Sequence, residues 1–135
     1  MRLTAVEIGI FEDYEDEEVL EVGIAGVDEA GSVRSFSIQR STCEPDEQDI
    51  RGGMDSYNIS TERGLTVYGC LRRVQLADAM LAMHFAVEDA EILEISSSIE
   101  IDLGGLEIDI ALLSRMLRMI LSWGSLEKQP QLIGI

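Results

Sequence analysis

Apolar residues in the first third of the chain fall on every second position, and this spacing limits the fold more than any other feature. Val6, Ile8 and Ile10 alternate with Glu7 and Gly9; Leu20, Val22 and Ile24 repeat the pattern. Phe36 and Ile38 follow, alternating with Ser35, Ser37 and Gln39. Side chains of a strand point to opposite faces in turn, so period-two alternation marks half-buried strands. Further strands are expected over residues 54–60, 66–76 and 80–86, the last with Leu81, Met83 and Phe85 on one face, and over 99–103. The period then changes. Ile110, Leu113, Met116, Leu117 and Ile120 form one stripe of a helix expected over 107–123, with acids at its start and Arg115 and Arg118 toward its end. A short helix is expected over 87–93. Meandering strands with the main helix last predict an α+β fold: an antiparallel sheet of about six strands, with the C-terminal helix packed on one face. Residues 1–124 are expected to form one domain. Residues 125–135, with Pro130 and Gly134, are expected to be a loosely held tail.

Charge narrows the function. The 135 residues hold 26 Asp and Glu against 10 Lys and Arg, a net charge of −16. Such a surface repels phosphate backbones and anionic headgroups, so nucleic acid and membrane are poor partners and a cationic protein is a good one. Residues 1–55 carry 15 acids and 4 bases. Seven acids fall within residues 12–21: Glu12, Asp13, Glu15, Asp16, Glu17, Glu18 and Glu21. The plain reading is a solvated hairpin tip that keeps the protein soluble. The sharper reading gives Asp13, Glu15, Asp16, Glu17 and Glu18 the task of steering a cationic partner. The N-terminus reaches acids before an apolar signal core can build, and no apolar run approaches membrane-span length, so a cytoplasmic location is expected.

Catalytic and metal patterns fail one by one. A calcium loop starting at Asp13 would place Glu18 at the required glycine and Ile24 at the bidentate glutamate. His84 is the only histidine and lies opposite Leu81, Met83 and Phe85, which reads as an exposed structural residue. Cys43 and Cys70 have no metal or disulfide-scaffold spacing. No nucleophile motif, phosphate loop or dinucleotide fingerprint is present, so neither a cofactor nor a metal is expected.

The segment 40–53 (RSTCEPDEQDIRGG) is longer than most hairpin connections, and long loops in compact domains are often functional. Arg40 is in register with Phe36 and Ile38, which points it inward. It would then need an acid, with Asp46, Asp49 and Asp55 as candidates. Tyr57 and Tyr68 offer ring packing plus a hydroxyl.

This region carries a resemblance. Gln39-Arg40-Ser41, then Asp46-Glu47-Gln48-Asp49, then Gly53-Met54-Asp55 with Tyr57, then Tyr68-Gly69 resemble the run that marks the immunity protein 10 family of bacterial polymorphic-toxin systems. Cys70 stands where that family's second glycine is usual, and Asn58 where an aromatic is common. Hydrophobic positions over residues 3–121 also resemble the family's pattern. The resemblance implies a cytoplasmic, non-catalytic antitoxin that binds a cognate toxin domain. It assigns Gln39, Arg40, Asp46, Glu47, Asp49, Asp55, Tyr57 and Tyr68 either to toxin contact or to bracing the loop that makes it. An acidic adaptor for some other basic protein, or a small carboxylate-based enzyme, are the competing readings.

Overall fold

The computed structural model describes residues 1–12 and 19–135. The expected hairpin tip, with Asp13, Glu15, Asp16, Glu17 and Glu18, lies outside them. The described chain runs β1 (Arg2–Glu12), β2 (Val19–Asp28), β3 (Val33–Ser41), α1 (Glu47–Arg51), β4 (Asn58–Thr61), β5 (Thr66–Tyr68), β6 (Leu71–Ala77), β7 (Met80–Phe85), α2 (Val87–Leu93), β8 (Ser98–Asp102), α3 (Ile110–Leu121), a 3-10 turn (Leu126–Lys128) and β9 (Gln131–Ile133).

All nine strands join one sheet in the order β5-β4-β3-β2-β1-β8-β7-β6-β9. The expectation of about six antiparallel strands is therefore corrected: the sheet is larger, and it is mixed. β1 pairs parallel with β8, and β6 parallel with β9; the other pairings are antiparallel. Alternation shows that a segment is a strand but says nothing about which neighbour it meets or in which direction. The run read as one strand over 66–76 breaks at Gly69-Cys70, so its halves lie near opposite ends of the sheet.

Two residues thus carry the chain from one end of the strand order almost to the other. The sheet must curl until its ends approach. Strand twist supplies the tendency, and β-bulges in β1 (between Ala5 and Glu7) and β6 (between Leu71 and Arg73) sharpen it. The β1 bulge also overturns one inward assignment. It shifts the alternation by one, so Leu3 and Ala5 are buried before it, Ile8 and Ile10 face inward after it, and Val6 is left exposed.

The inner face holds the core. Leu20, Val22, Ile24, Phe36, Ile38, Ile59, Leu81, Met83, Ile99 and Ile101 are buried. α3 lies on this face against β2 and β3. Asp109 caps its start by accepting from the Leu112 amide at 3.1 Å. Leu113, Met116, Leu117, Ile120 and Leu121 are fully buried, whereas Ile110, in the first turn, is partly exposed. His84 faces outward as expected and meets Arg73 at 3.0 Å. No helix among the described residues is long and apolar enough to cross a membrane.

Part of the 125–135 segment pairs with the sheet. β9 extends the sheet beyond β6, and Gly124 forms an isolated bridge with Ser56. Gly124 has φ +81, and a Cβ there would lie 2.1 Å from the Asp55 carbonyl oxygen. Only glycine lets the two backbones approach so closely.

Candidate functional site

The motif residues from Gln39 to Tyr68 gather at one end of the molecule, where the 42–57 segment, the end of α3 and the tail converge. α1 is a five-residue helix held by its own capping box. Asp46 accepts from the Asp49 amide at 2.8 Å, and Asp49 accepts from the Asp46 amide at 3.1 Å. Both carboxylates thereby satisfy backbone donors of the loop. Glu47 makes an exposed ion pair with Arg51 at 3.4 Å.

Arg40 points inward as expected, but it is not bracketed by Asp46, Asp49 or Asp55. Its Nη1 donates to the Met119 carbonyl at 3.1 Å, one of the last-turn oxygens of α3 that the helix itself leaves unpaired. Its guanidinium lies 5.4 Å from the centre of the Trp123 ring. Burial disfavours the charged guanidinium and lowers its pKa, and Glu44 pulls the other way. The sequence showed the direction of the side chain but not its partner. The C-terminus of α3, 79 residues away, occupies the place where an acid was expected.

Asp55 is paired instead with Lys128, at 2.5 Å. The Lys128 ammonium also donates to the Gly53 carbonyl at 3.0 Å. The hydrogen bond that Lys128 donates to the Asp55 carboxylate is the main reason this carboxyl lies below its ordinary range, against a desolvation that raises it. No local pattern in the sequence marks Lys128, which lies in the segment expected to be a loose tail. It was nevertheless the only lysine in the chain.

Tyr57 closes the seam between the two ends of the sheet. Its ring is fully buried. Its hydroxyl accepts from the Leu71 amide at 3.0 Å and donates to the Lys128 carbonyl at 2.8 Å, while its own carbonyl accepts from the Gly69 amide at 3.1 Å. Gly69 is left-handed (φ +62), and the Lys128 stem passes where a Cβ would stand, 2.8 Å from Cδ. Cys70, in place of the usual glycine, is buried beside it, and burial pushes its thiol up to about 12. Burial also raises the Tyr57 phenol well above its ordinary value.

Two clefts flank Trp123. One, of about 280 Å³, is lined by Gln39, Arg40, Asp49, Met54, Asn58 and Tyr68 among others. Gln39 donates across its floor to Asn58 at 3.1 Å. The other, of about 430 Å³, has Pro45, Ile50 and Trp123 as apolar walls, with Glu44 and Asp55 beside them. A third concavity, of about 310 Å³, lies on the outer face of the sheet, over Gly9, Gly23, Ala25, Ser35 and Ser37.

Chemically, this is a braced surface. The pKa shifts of Asp55, Tyr57 and Cys70 all lead away from neutrality, the opposite of what acid, base or thiolate chemistry requires. The model of the family described as Immunity protein 10 matches residues 4–111, and the chain belongs to that family. The match ends as α3 begins, so Trp123 and Lys128, the partners of Arg40 and Asp55, lie beyond it. Comparisons with curated proteins and with solved structures each give no match.

Proposed function

We propose that this chain is a non-catalytic antitoxin of the cytoplasm, which binds the toxin domain it accompanies and holds it inactive. The observation that carries the reading is how the family's polar motif is used. Arg40, Asp46, Asp49, Asp55 and Tyr57 are engaged with backbone atoms, Lys128 or Trp123, and so hold a surface in shape without converging on a reacting centre. Rigidity of this kind suits binding, because a loop ordered in advance loses little entropy on association. The charge of −16 favours a cationic toxin and a fast, salt-sensitive encounter. Among the motif residues Asp46 and Glu47 are exposed and Gln39 and Tyr68 half-buried, and these are the ones open to contact.

The test is co-expression in a bacterial host with the toxin domain encoded in the same locus. Growth should be rescued by the wild type and by a double substitution of the capping carboxylates to Asn, which can still accept hydrogen bonds. Toxicity that persists with soluble wild-type protein present would defeat the reading.

A further inference from the structure

We infer that the apolar patch formed by Pro45, Ile50, Met54 and Trp123 is the docking surface, and that it takes a basic protein segment bearing an exposed apolar side chain. The inference rests on the antitoxin reading and names where the toxin would bind.

The first observation is the behaviour of α1. None of its residues is buried, so the core does not hold it in place. Yet its one large apolar side chain, Ile50, is 57% exposed, and Met54 just beyond it is 40% exposed. The helix is kept by its caps and polar contacts, not by burial. Apolar groups held rigidly in water, rimmed by polar ones, are the usual sign of a surface that another molecule covers.

The second observation is shape. Pro45, Ile50 and Trp123 wall a cleft of about 430 Å³, large enough to receive an apolar side chain as an anchor. Trp123 is fixed from its other side by the Arg40 guanidinium, and its backbone neighbour Gly124 is pinned to Ser56. The walls are therefore set before a partner arrives.

The third observation is charge. Residues 44–55 contain Glu44, Asp46, Glu47, Asp49 and Asp55 but one base, Arg51, which is already paired with Glu47. The other cations nearby, Lys128 and Arg40, are engaged with Asp55 and with the end of α3. The rim is thus negative, and a basic segment complements it. The concavity on the outer sheet face lacks this property. Its floor is small residues, Phe11 forms one wall, and Glu7 is the only charged residue lining it among the described residues.

The experiment measures binding kinetics of the toxin domain encoded in the same locus against wild type, Ile50→Asp and Phe11→Asp. Both variants change exposed side chains, and unchanged melting temperatures verify the fold. Ile50→Asp should speed dissociation by on the order of tenfold or more, because it places a charge in a desolvated anchor site. Phe11→Asp should behave as wild type. If Ile50→Asp dissociates at the wild-type rate, or Phe11→Asp is the variant that loses binding, the docking surface is overturned while the antitoxin reading stands. A wild-type protein that neither binds the toxin nor rescues growth overturns both.

Discussion

The Tyr57 hydroxyl is a single atom on which three separate segments depend: the approach to β4, the start of β6 and the turn before β9. Tyr57→Phe keeps the ring but leaves the buried Leu71 amide without an acceptor. An unsatisfied buried donor costs about 1–3 kcal/mol, which denaturant titration will resolve. Arg40→Ala should act differently. It leaves no carboxylate stranded, since the lost partners are a carbonyl and a ring face. The expected cost is nearer 1 kcal/mol. Trp123 is the only tryptophan, so a red shift in its emission reports the loss directly. The Lys128–Asp55 pair makes a pH prediction. The folded pKa of Asp55 lies below its unfolded value. The pair's contribution is therefore fully present above about pH 4, and is lost as pH falls through the lower, folded value. Lys128→Met should lower stability at neutral pH and make it less sensitive to acid, as measured by unfolding at a series of pH values.

Among the elements, β9 and the turn before it matter more than their length suggests. β9 covers the outer edge of β6, Lys128 reaches back to Asp55 and Gly53, and Gly124 fits against Asp55. Removing residues 125–135 exposes the β6 edge and unties Tyr57 together with Asp55. The truncated chain should melt well below the full one and should aggregate, because an uncovered edge strand invites pairing with another chain. A truncated protein that melts with the full-length one would mean that β9 adds nothing to the fold. α1 sits at the other extreme. It buries nothing, so the loss of its caps should be felt locally and in binding, and scarcely in the global melt.

Across the whole molecule, five of the 21 acids among the described residues are held in ion pairs. Most carboxylates therefore repel one another across the surface. Moderate salt should raise the melting temperature slightly by screening that repulsion. A fall would mean that the acids are mostly paired. The same salt should slow toxin association, and neutralising Glu15, Asp16 and Glu17 should slow it at low salt with little effect on dissociation.

How far each level could be read from the sequence follows from the range of the forces involved. Strand and helix periods are local, and they determined β2, β3, β7, α2 and the buried stripe of α3 before any contact was known. Net charge needs no structure at all, and the proposal of a cationic partner follows from it. The inward direction of Arg40 likewise follows from register with Phe36 and Ile38. What the sequence could not supply were pairings between residues distant along the chain. The parallel contact of β1 with β8, the break at Gly69-Cys70 that divides one apparent strand between the two ends of the sheet, and the return of Lys128 to Asp55 were decided by tertiary structure. Their energy comes from burial and hydrogen bonds that exist only after the sheet has curled. No periodicity near Lys128 records its partner 73 residues earlier. The site was legible as a set of residue types, and the closing of the sheet gave those residues their roles.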